Sequence, residues 1–71
     1  MTVREFLARY DGNVEIAVGL YDTNTGDHVE FLHDERCGLN SEWKNATVEG
    51  WHIIQKSTDE AAYKLEIEVI S

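Results

Sequence analysis

The chain opens with a pattern typical of a short amphipathic helix. Thr2 and Glu5 have the spacing of a capping box, in which the threonine hydroxyl serves the backbone N–H of Glu5 and the carboxylate serves that of Thr2. Apolar residues then recur every three or four positions, at Val3, Phe6, Leu7 and Tyr10. This spacing predicts a helix over residues 2–11 with one apolar face. Such a short helix is marginal alone and needs an apolar surface to lie on.

Four later segments alternate apolar and polar residues, which is the pattern of strands with one buried face. They cover residues 14–21, 28–33, 47–56 and 63–70. The turn-rich residues 22–27 predict a hairpin in which Leu20 pairs with Val29 and Val18 with Phe31. Between the second and third strands, the polar chain predicts a loop with one helical turn that starts at Asn40-Ser41.

This order of elements predicts one α+β domain over residues 1–71, in which the N-terminal helix packs on a four-stranded antiparallel sheet to form two layers. One helix cannot cover both faces of the sheet, so the second face should be polar in a monomer. It is only partly polar. One register of the third strand turns His52, Ile54 and Ile70 outward, and the opposite register hides Ile54 and exposes Trp51. Either register leaves a large apolar side chain near the open face, as a partner-binding surface would.

Charge narrows the choice of partner. Aspartate and glutamate outnumber lysine and arginine by 14 to 6, for a net charge of −8. Such a surface repels phosphate backbones and anionic lipid, which argues against direct contact with nucleic acid or membrane. The positive residues are scattered singly along the chain, so nucleic-acid binding would need a local basic spot hidden by the net charge. No apolar run resembles a signal peptide or a membrane span.

The single cysteine, Cys37, excludes an internal disulfide and favours a reducing, cytoplasmic compartment. As a nucleophile it would need a histidine base and an oxyanion site, and no nearby signal suggests the latter. A zinc site from His28, His33, Cys37 and His52 is also disfavoured. His28 and His33 differ by an odd number along a predicted strand and therefore point to opposite faces.

Two polar groupings have simpler interpretations than a site. Asp22, Asn24 and Asp27 lie in a loop rich in oxygen donors, but the pattern is more typical of a turn than of a calcium loop. His52 and Glu66 are expected to face each other across the second hairpin, as a surface contact rather than as an acid–base pair. We therefore expect no enzymatic activity, no cofactor and no metal.

The opening Thr2-Val3-Arg4-Glu5-Phe6-Leu7, followed by Tyr10-Asp11-Gly12-Asn13-Val14-Glu15-Ile16, resembles the start of many short uncharacterised proteins of phages and prophages of gut bacteria. In those proteins a helix of the form T-V-x-E-L/F-L leads into D-x-N-x-E-I/V-x-V. The resemblance covers about the first 20 residues and carries over no functional residue. It implies a small acidic accessory protein of a mobile element, a class of which some members block host defence complexes.

Two functional hypotheses follow. In the first, the protein is an inhibitor or adaptor that docks on a basic nucleic-acid-handling protein, with carboxylates in the place of phosphates and aromatic residues as anchors. The predicted contacts are Asp22, Asp27, Glu30, Asp34, Glu35, Glu66 and Glu68, with Tyr21, Trp43 and Trp51. In the second, the apolar open face or an unprotected strand edge forms a homodimer that buries Ile54, Ile70 and Leu32, and the protein is a structural or assembly component. Alternatively, the acidic charge only keeps a small protein soluble.

Overall fold

The computed structural model describes residues 1–10, 12, 16–55 and 63–71. Its elements, in chain order, are α1 (Val3–Arg9), β1 (Ala17–Asp22), β2 (His28–Leu32), a 3-10 helix (His33–Gly38), α2 (Ser41–Lys44), β3 (Thr47–Gln55) and β4 (Tyr63–Ile70). The α+β class is confirmed. The predicted start of the first strand at residues 14 and 15 lies outside the described residues.

The capping box at the start of α1 is confirmed. The Glu5 N–H donates to Thr2 Oγ1 at 3.2 Å, and the Thr2 N–H donates to Glu5 Oε1 at 2.9 Å. These bonds, from the Thr2 backbone first and its hydroxyl second, lower the pKa of Glu5. The helix ends at Arg9, earlier than the sequence predicts, because Tyr10 already has an extended backbone. Val3 and Leu7 are its buried residues.

The strands form one sheet in the order β2-β1-β4-β3. The predicted first hairpin is confirmed, with Leu20 opposite Val29 and Val18 opposite Phe31. However, β1 runs parallel to β4, with Leu20 beside Ile67, so the prediction of an all-antiparallel sheet is wrong. The physical reason is that alternation predicts the face of each residue and is the same for either direction of a neighbouring strand. The chain from His33 to Ala46 crosses the domain and places β3 and β4 beyond β1.

The prediction of one helix as the whole second layer is also wrong. The apolar side of the sheet is covered by α1, the 3-10 helix and α2, which contribute Val3, Leu7, His33 and Trp43. With seven residues, α1 is only about 10 Å long at about 1.5 Å per residue. The nine residues of β3 extend about 30 Å at about 3.3 Å per residue. Part of β3, at Trp51 and Ile53, therefore stays exposed on the helical side of the sheet.

The core lies between these helical segments and the two central strands. Val18 and Leu20 of β1 and Leu65, Ile67 and Val69 of β4 are at most 2% exposed. The N-terminus is tied to the start of β3, because the Val48 N–H donates to Met1 O at 2.8 Å and the Val3 N–H donates to Ala46 O at 3.0 Å. The start of the chain thus covers the first part of the β3 edge and holds α1 against the sheet.

Candidate functional site

The sheet face opposite the helical segments, here called the open face, carries several exposed apolar side chains. The helical segments lie on the other side, so nothing in the described ranges packs on it. The large apolar side chains on the described part of this face are each 38–42% exposed. They belong to Tyr21, Leu32, Ile54 and Ile70. Of the two registers left open for the third strand, the structure has the one in which Ile54 and His52 face outward. The open face therefore carries polar side chains, as an exposed strand face usually does, together with a ring of exposed apolar side chains.

A charged cluster occupies the centre of the open face. Lys64 Nζ lies 2.9 Å from Glu30 Oε2 and 3.1 Å from Glu66 Oε2, and the lysine side chain is only 14% exposed. His28 Nε2 lies 3.6 Å from Glu66 Oε1. The hydrogen bond to Glu30 raises the pKa of Lys64, against an opposing effect of burial, and Glu66 adds to the rise. Lys64 is therefore a fixed cation at neutral pH.

Gly19 makes room for this cluster. A Cβ at Gly19 would lie 2.6 Å from Lys64 Cε and 2.7 Å from Glu66 Oε2. The position lies between Glu30 on β2 and Glu66 on β4 in the sheet register. Because glycine has no side chain, Lys64 can cross β1 to reach Glu30, while it also contacts Glu66 on its own strand.

Among the described residues, β2 and β4 place the carboxylates of Glu30, Glu66 and Glu68 on the open face together with the ammonium group of Lys64, so these carboxylates outnumber that cation. His52 lies opposite Glu66 across the β3–β4 pair, as the sequence predicts. A basic partner would meet a favourable potential at this surface.

Of the predicted contact residues, Tyr21, Glu30, Glu66 and Glu68 come together on the open face. Asp27 is exposed just before β2, and Asp34 and Glu35 are exposed in the 3-10 helix that follows it. Glu35 lines a shallow pocket together with Glu30 and Leu32, so the acidic surface continues around the β2 edge.

Asp22 has a different environment, because it is only 5% exposed. Its Oδ1 accepts hydrogen bonds from the N–H groups of Asn24 at 2.9 Å and Thr25 at 3.4 Å. Burial alone would raise the pKa of Asp22, but hydrogen bonds from Ser71 and from these two N–H groups lower it. Its carboxylate thus orders the turn into β2, together with Gly26 at a φ of 81°.

The two tryptophans lie on the helical side of the sheet. Trp43 packs against the core and is partly buried. Trp51 is 57% exposed and its ring centroid lies 5.8 Å from that of Phe6. Trp51, Ile53, Phe6 and Tyr10 line an apolar groove of about 460 Å³. The ten predicted contacts therefore do not form a single surface.

His33 and Cys37 do not form a nucleophile–base pair. His33 is 2% exposed. Its Nε2–H donates to Leu7 O at 3.2 Å, and its Nδ1 faces Arg36 Nη1 at 3.5 Å. Its ring also contacts that of Tyr10, with centroids 4.7 Å apart. In the part of the chain that the structure describes, no three potential metal ligands converge.

Lys64 and Gly19 are the residues of this site that sequence reasoning missed. Alternation places Lys64 and Glu66 on one face of β4, and that signal is visible in the sequence. The contact with Glu30 depends on β1 lying beside β4, which alternation does not predict.

Searches against protein-family models, curated proteins and solved structures found no match. Within the described ranges, no helix has the length and apolar character needed to cross a membrane.

Proposed function

We propose that this chain is a non-enzymatic protein-interaction domain that binds a basic partner protein through the open face. The observation that carries the proposal is the arrangement of exposed Tyr21, Leu32, Ile54 and Ile70 around a cluster with more carboxylates than cations. Apolar groups supply binding energy when a partner removes them from water. The carboxylates steer encounter with a positive surface.

The size of the open face indicates how a partner must bind. The four strands have 6, 5, 9 and 8 residues, and at about 3.3 Å per residue and about 4.8 Å between strands they cover roughly 440 Å². A typical partner buries about 800 Å² on each side. The partner must therefore also contact an edge of the sheet, and the acidic edge with Glu35 and Asp27 fits a basic surface best.

The partner class that suits this chemistry is a host nucleic-acid-handling protein, bound in its basic groove by carboxylates in the place of phosphates. The N-terminal resemblance to phage and prophage accessory proteins supports the same class. In this role the protein would act as an inhibitor, because a bound acidic domain would exclude the nucleic acid from the groove.

Affinity capture from bacterial lysate with two matched variants tests the proposal. The first variant carries Ile54→Thr and Glu68→Gln on the open face. The control carries Ile53→Thr and Glu42→Gln, which make the same chemical changes in β3 and in α2 on the helical side. Wild type and control should capture the same basic protein at low salt, and the open-face variant should lose it.

Raising the salt to about 0.5 M should also release the partner, since screening weakens contacts between exposed charges. Capture of the same proteins by the open-face variant, or capture of none by wild type, would overturn the proposal. Binding indifferent to salt would count against phosphate mimicry.

A homodimer is the second candidate, and the edge of β3 favours it. The described chain gives β3 a strand partner only on the β4 side, apart from the bridge between Thr2 and Thr47. Trp51 and Ile53 beside this edge are 57% and 48% exposed. Two copies could pair these edges and extend the sheet. Size-exclusion chromatography with light scattering would show twice 8.1 kDa for this dimer, and the monomer mass at millimolar concentration would exclude it.

A further inference from the structure

A small cavity lies between the three helical segments, on the side of the sheet away from the open face. Its volume is about 210 Å³, and it is lined by Arg4, Leu7 and Ala8 of α1, Arg36 and Cys37 of the 3-10 helix, and Lys44 of α2. Three cationic side chains from three separate elements thus surround one cavity. Their separation in sequence is the reason that the chain shows no basic motif.

The bonding of these cations is unusual for so acidic a chain. With 14 acidic and 6 basic residues, carboxylates are abundant, and Lys64 contacts two of them. Yet Arg4 Nη2 donates to Asn45 Oδ1 at 3.5 Å, Arg36 Nη1 to His33 O at 3.1 Å, and Lys44 Nζ to Cys37 O at 3.1 Å. All three acceptors are neutral, and no carboxylate of the described residues forms an ion pair with these cations.

These bonds hold the cations in place and leave donors unused. A guanidinium has five N–H donors and an ammonium has three. Within the described ranges, each of these side chains donates to one protein acceptor, apart from the longer approach of Arg36 to His33 Nδ1. Ordering of the groups before binding reduces the entropic cost of binding. The remaining donors can bond a ligand that supplies negative oxygen atoms.

Attraction to helix ends does not explain the cluster. Arg36 and Lys44 lie in the last turns of their helices, where a cation is favourable. Arg4, however, lies in the first turn of α1, where the helix dipole favours an anion.

We propose that this cavity binds a compact oxyanion of phosphate chemistry, either free phosphate or the phosphate of a small phosphomonoester. Two guanidinium groups suit paired bonds to phosphate oxygens, and Lys44 adds a point charge. The volume of about 210 Å³ has room for more than one water molecule. That space suits a phosphate group and is below the range of drug-sized ligand pockets. The site does not depend on the function proposed for the open face.

Titration of the ¹⁵N-labelled protein with inorganic phosphate, at constant ionic strength, tests the proposal. The amide signals of Arg36, Cys37 and Lys44 should shift and saturate, with a Kd of about 1–10 mM. Phosphoserine as a free amino acid tests the phosphomonoester, and acetate at equal concentration controls for a general carboxylate effect. Tighter binding of phosphoserine than of phosphate would identify the monoester as the ligand form. Equal shifts with acetate, or shifts that do not saturate, would overturn the proposal.

The matched variants are Arg4→Gln and Arg9→Gln, which remove the same charge from the same helix. Arg9 lines the other, apolar groove. Arg4→Gln should weaken phosphate binding at least tenfold, whereas Arg9→Gln should change it by less than about twofold, as expected for an exposed charge screened by salt. Equal weakening by both would show a response to net charge alone and would overturn the site.

Cys37 provides a second readout, because it is exposed and is the chain's only cysteine. Its rate of reaction with the anionic reagent 5,5′-dithiobis(2-nitrobenzoate), divided by its rate with neutral 4,4′-dithiodipyridine, reports the local potential. Phosphate should slow the first reaction, and Arg4→Gln should lower the ratio about threefold, as expected for one charge several ångströms away. A ratio unchanged by Arg4→Gln in a folded variant would contradict the proposal.

Discussion

Replacement of Lys64 with glutamine tests the centre of the open face. The substitution removes the ammonium group between Glu30 and Glu66 and leaves these two carboxylates beside each other. Lys44→Gln is the control, because among the described residues Lys44 Nζ bonds the neutral carbonyl of Cys37 and no carboxylate. Both changes remove one positive charge, so their effects on net charge are equal.

The magnitude follows from burial. Hydrogen bonds to charged groups contribute about 1.5–3 kcal/mol when buried, and exposed ion pairs contribute about 0.2–1 kcal/mol. The side chains of Lys64 and Glu66 are 14% and 16% exposed, but that of Glu30 is 40% exposed. We therefore expect Lys64→Gln to lower the free energy of unfolding by about 1–2 kcal/mol. Lys44→Gln should cost less than about 0.5 kcal/mol.

Thermal unfolding followed by circular dichroism measures both effects, because 1 kcal/mol lowers Tm by about 4–8 °C in a domain of this size. The pKa of Lys64 is raised in the folded state, so its contribution is complete below the ordinary lysine value of 10.5 and is lost as pH rises through the folded-state value. The loss of unfolding free energy in Lys64→Gln relative to wild type should thus be constant from pH 7 to about 10 and become smaller above that pH. Equal losses of stability in the two variants would refute the assigned role of Lys64.

Three further predictions concern the capping box, the core and the turn. Thr2→Ala should cost about 1 kcal/mol at pH 7. The pKa of Glu5 is lowered in the folded state, so the contribution of Glu5 to stability is present above the ordinary value of 4.5 and is lost as pH falls through the folded-state value. The free energies of unfolding of wild type and Glu5→Gln, measured in urea, should therefore converge in acid. Leu20→Ala should cost about 2–5 kcal/mol, whereas the same change at Leu32, which is 42% exposed on the open face, should cost less than about 1 kcal/mol in the same assay. Gly26→Ala, at a φ of 81°, should lower the free energy of unfolding by about 1 kcal/mol.

Local signals predicted much of this fold. The capping box of α1, the register of the first hairpin and the strand over residues 63–70 depend on residues close in sequence, and all three are confirmed. The turn that begins after Asn40 is also confirmed, since the Asn40 side chain accepts a hydrogen bond from the Trp43 N–H.

The neighbour relations of the strands could not be predicted in this way. Alternation records the buried face of β4 and carries no information on whether β1 or β2 lies beside it. The parallel pairing of β1 with β4 is what brings Lys64 to Glu30 across Gly19. The charged cluster could therefore not be predicted from residues close in sequence, although each of its residues faces the side of the sheet that alternation predicts.

The basic cavity escaped prediction for a related reason. Arg4 stands far in the sequence from Arg36 and Lys44, and the crossing segment between β2 and β3 brings these two residues to Arg4 and Leu7. The net charge of the whole chain does not reveal such a local group of positive residues. A charge count describes long-range steering by the whole protein and does not describe one cavity.

Accessibility of the open face is the claim on which the proposed function rests. Methyl relaxation by a soluble paramagnetic agent measures it directly, with the protein dilute and its isoleucines labelled. The methyl groups of Ile54 and Ile70 should relax strongly, while that of Ile67, on the buried side of β4 and 0% exposed, should be protected. Protection of Ile54 and Ile70 equal to that of Ile67 would show that this face is covered and would contradict the account.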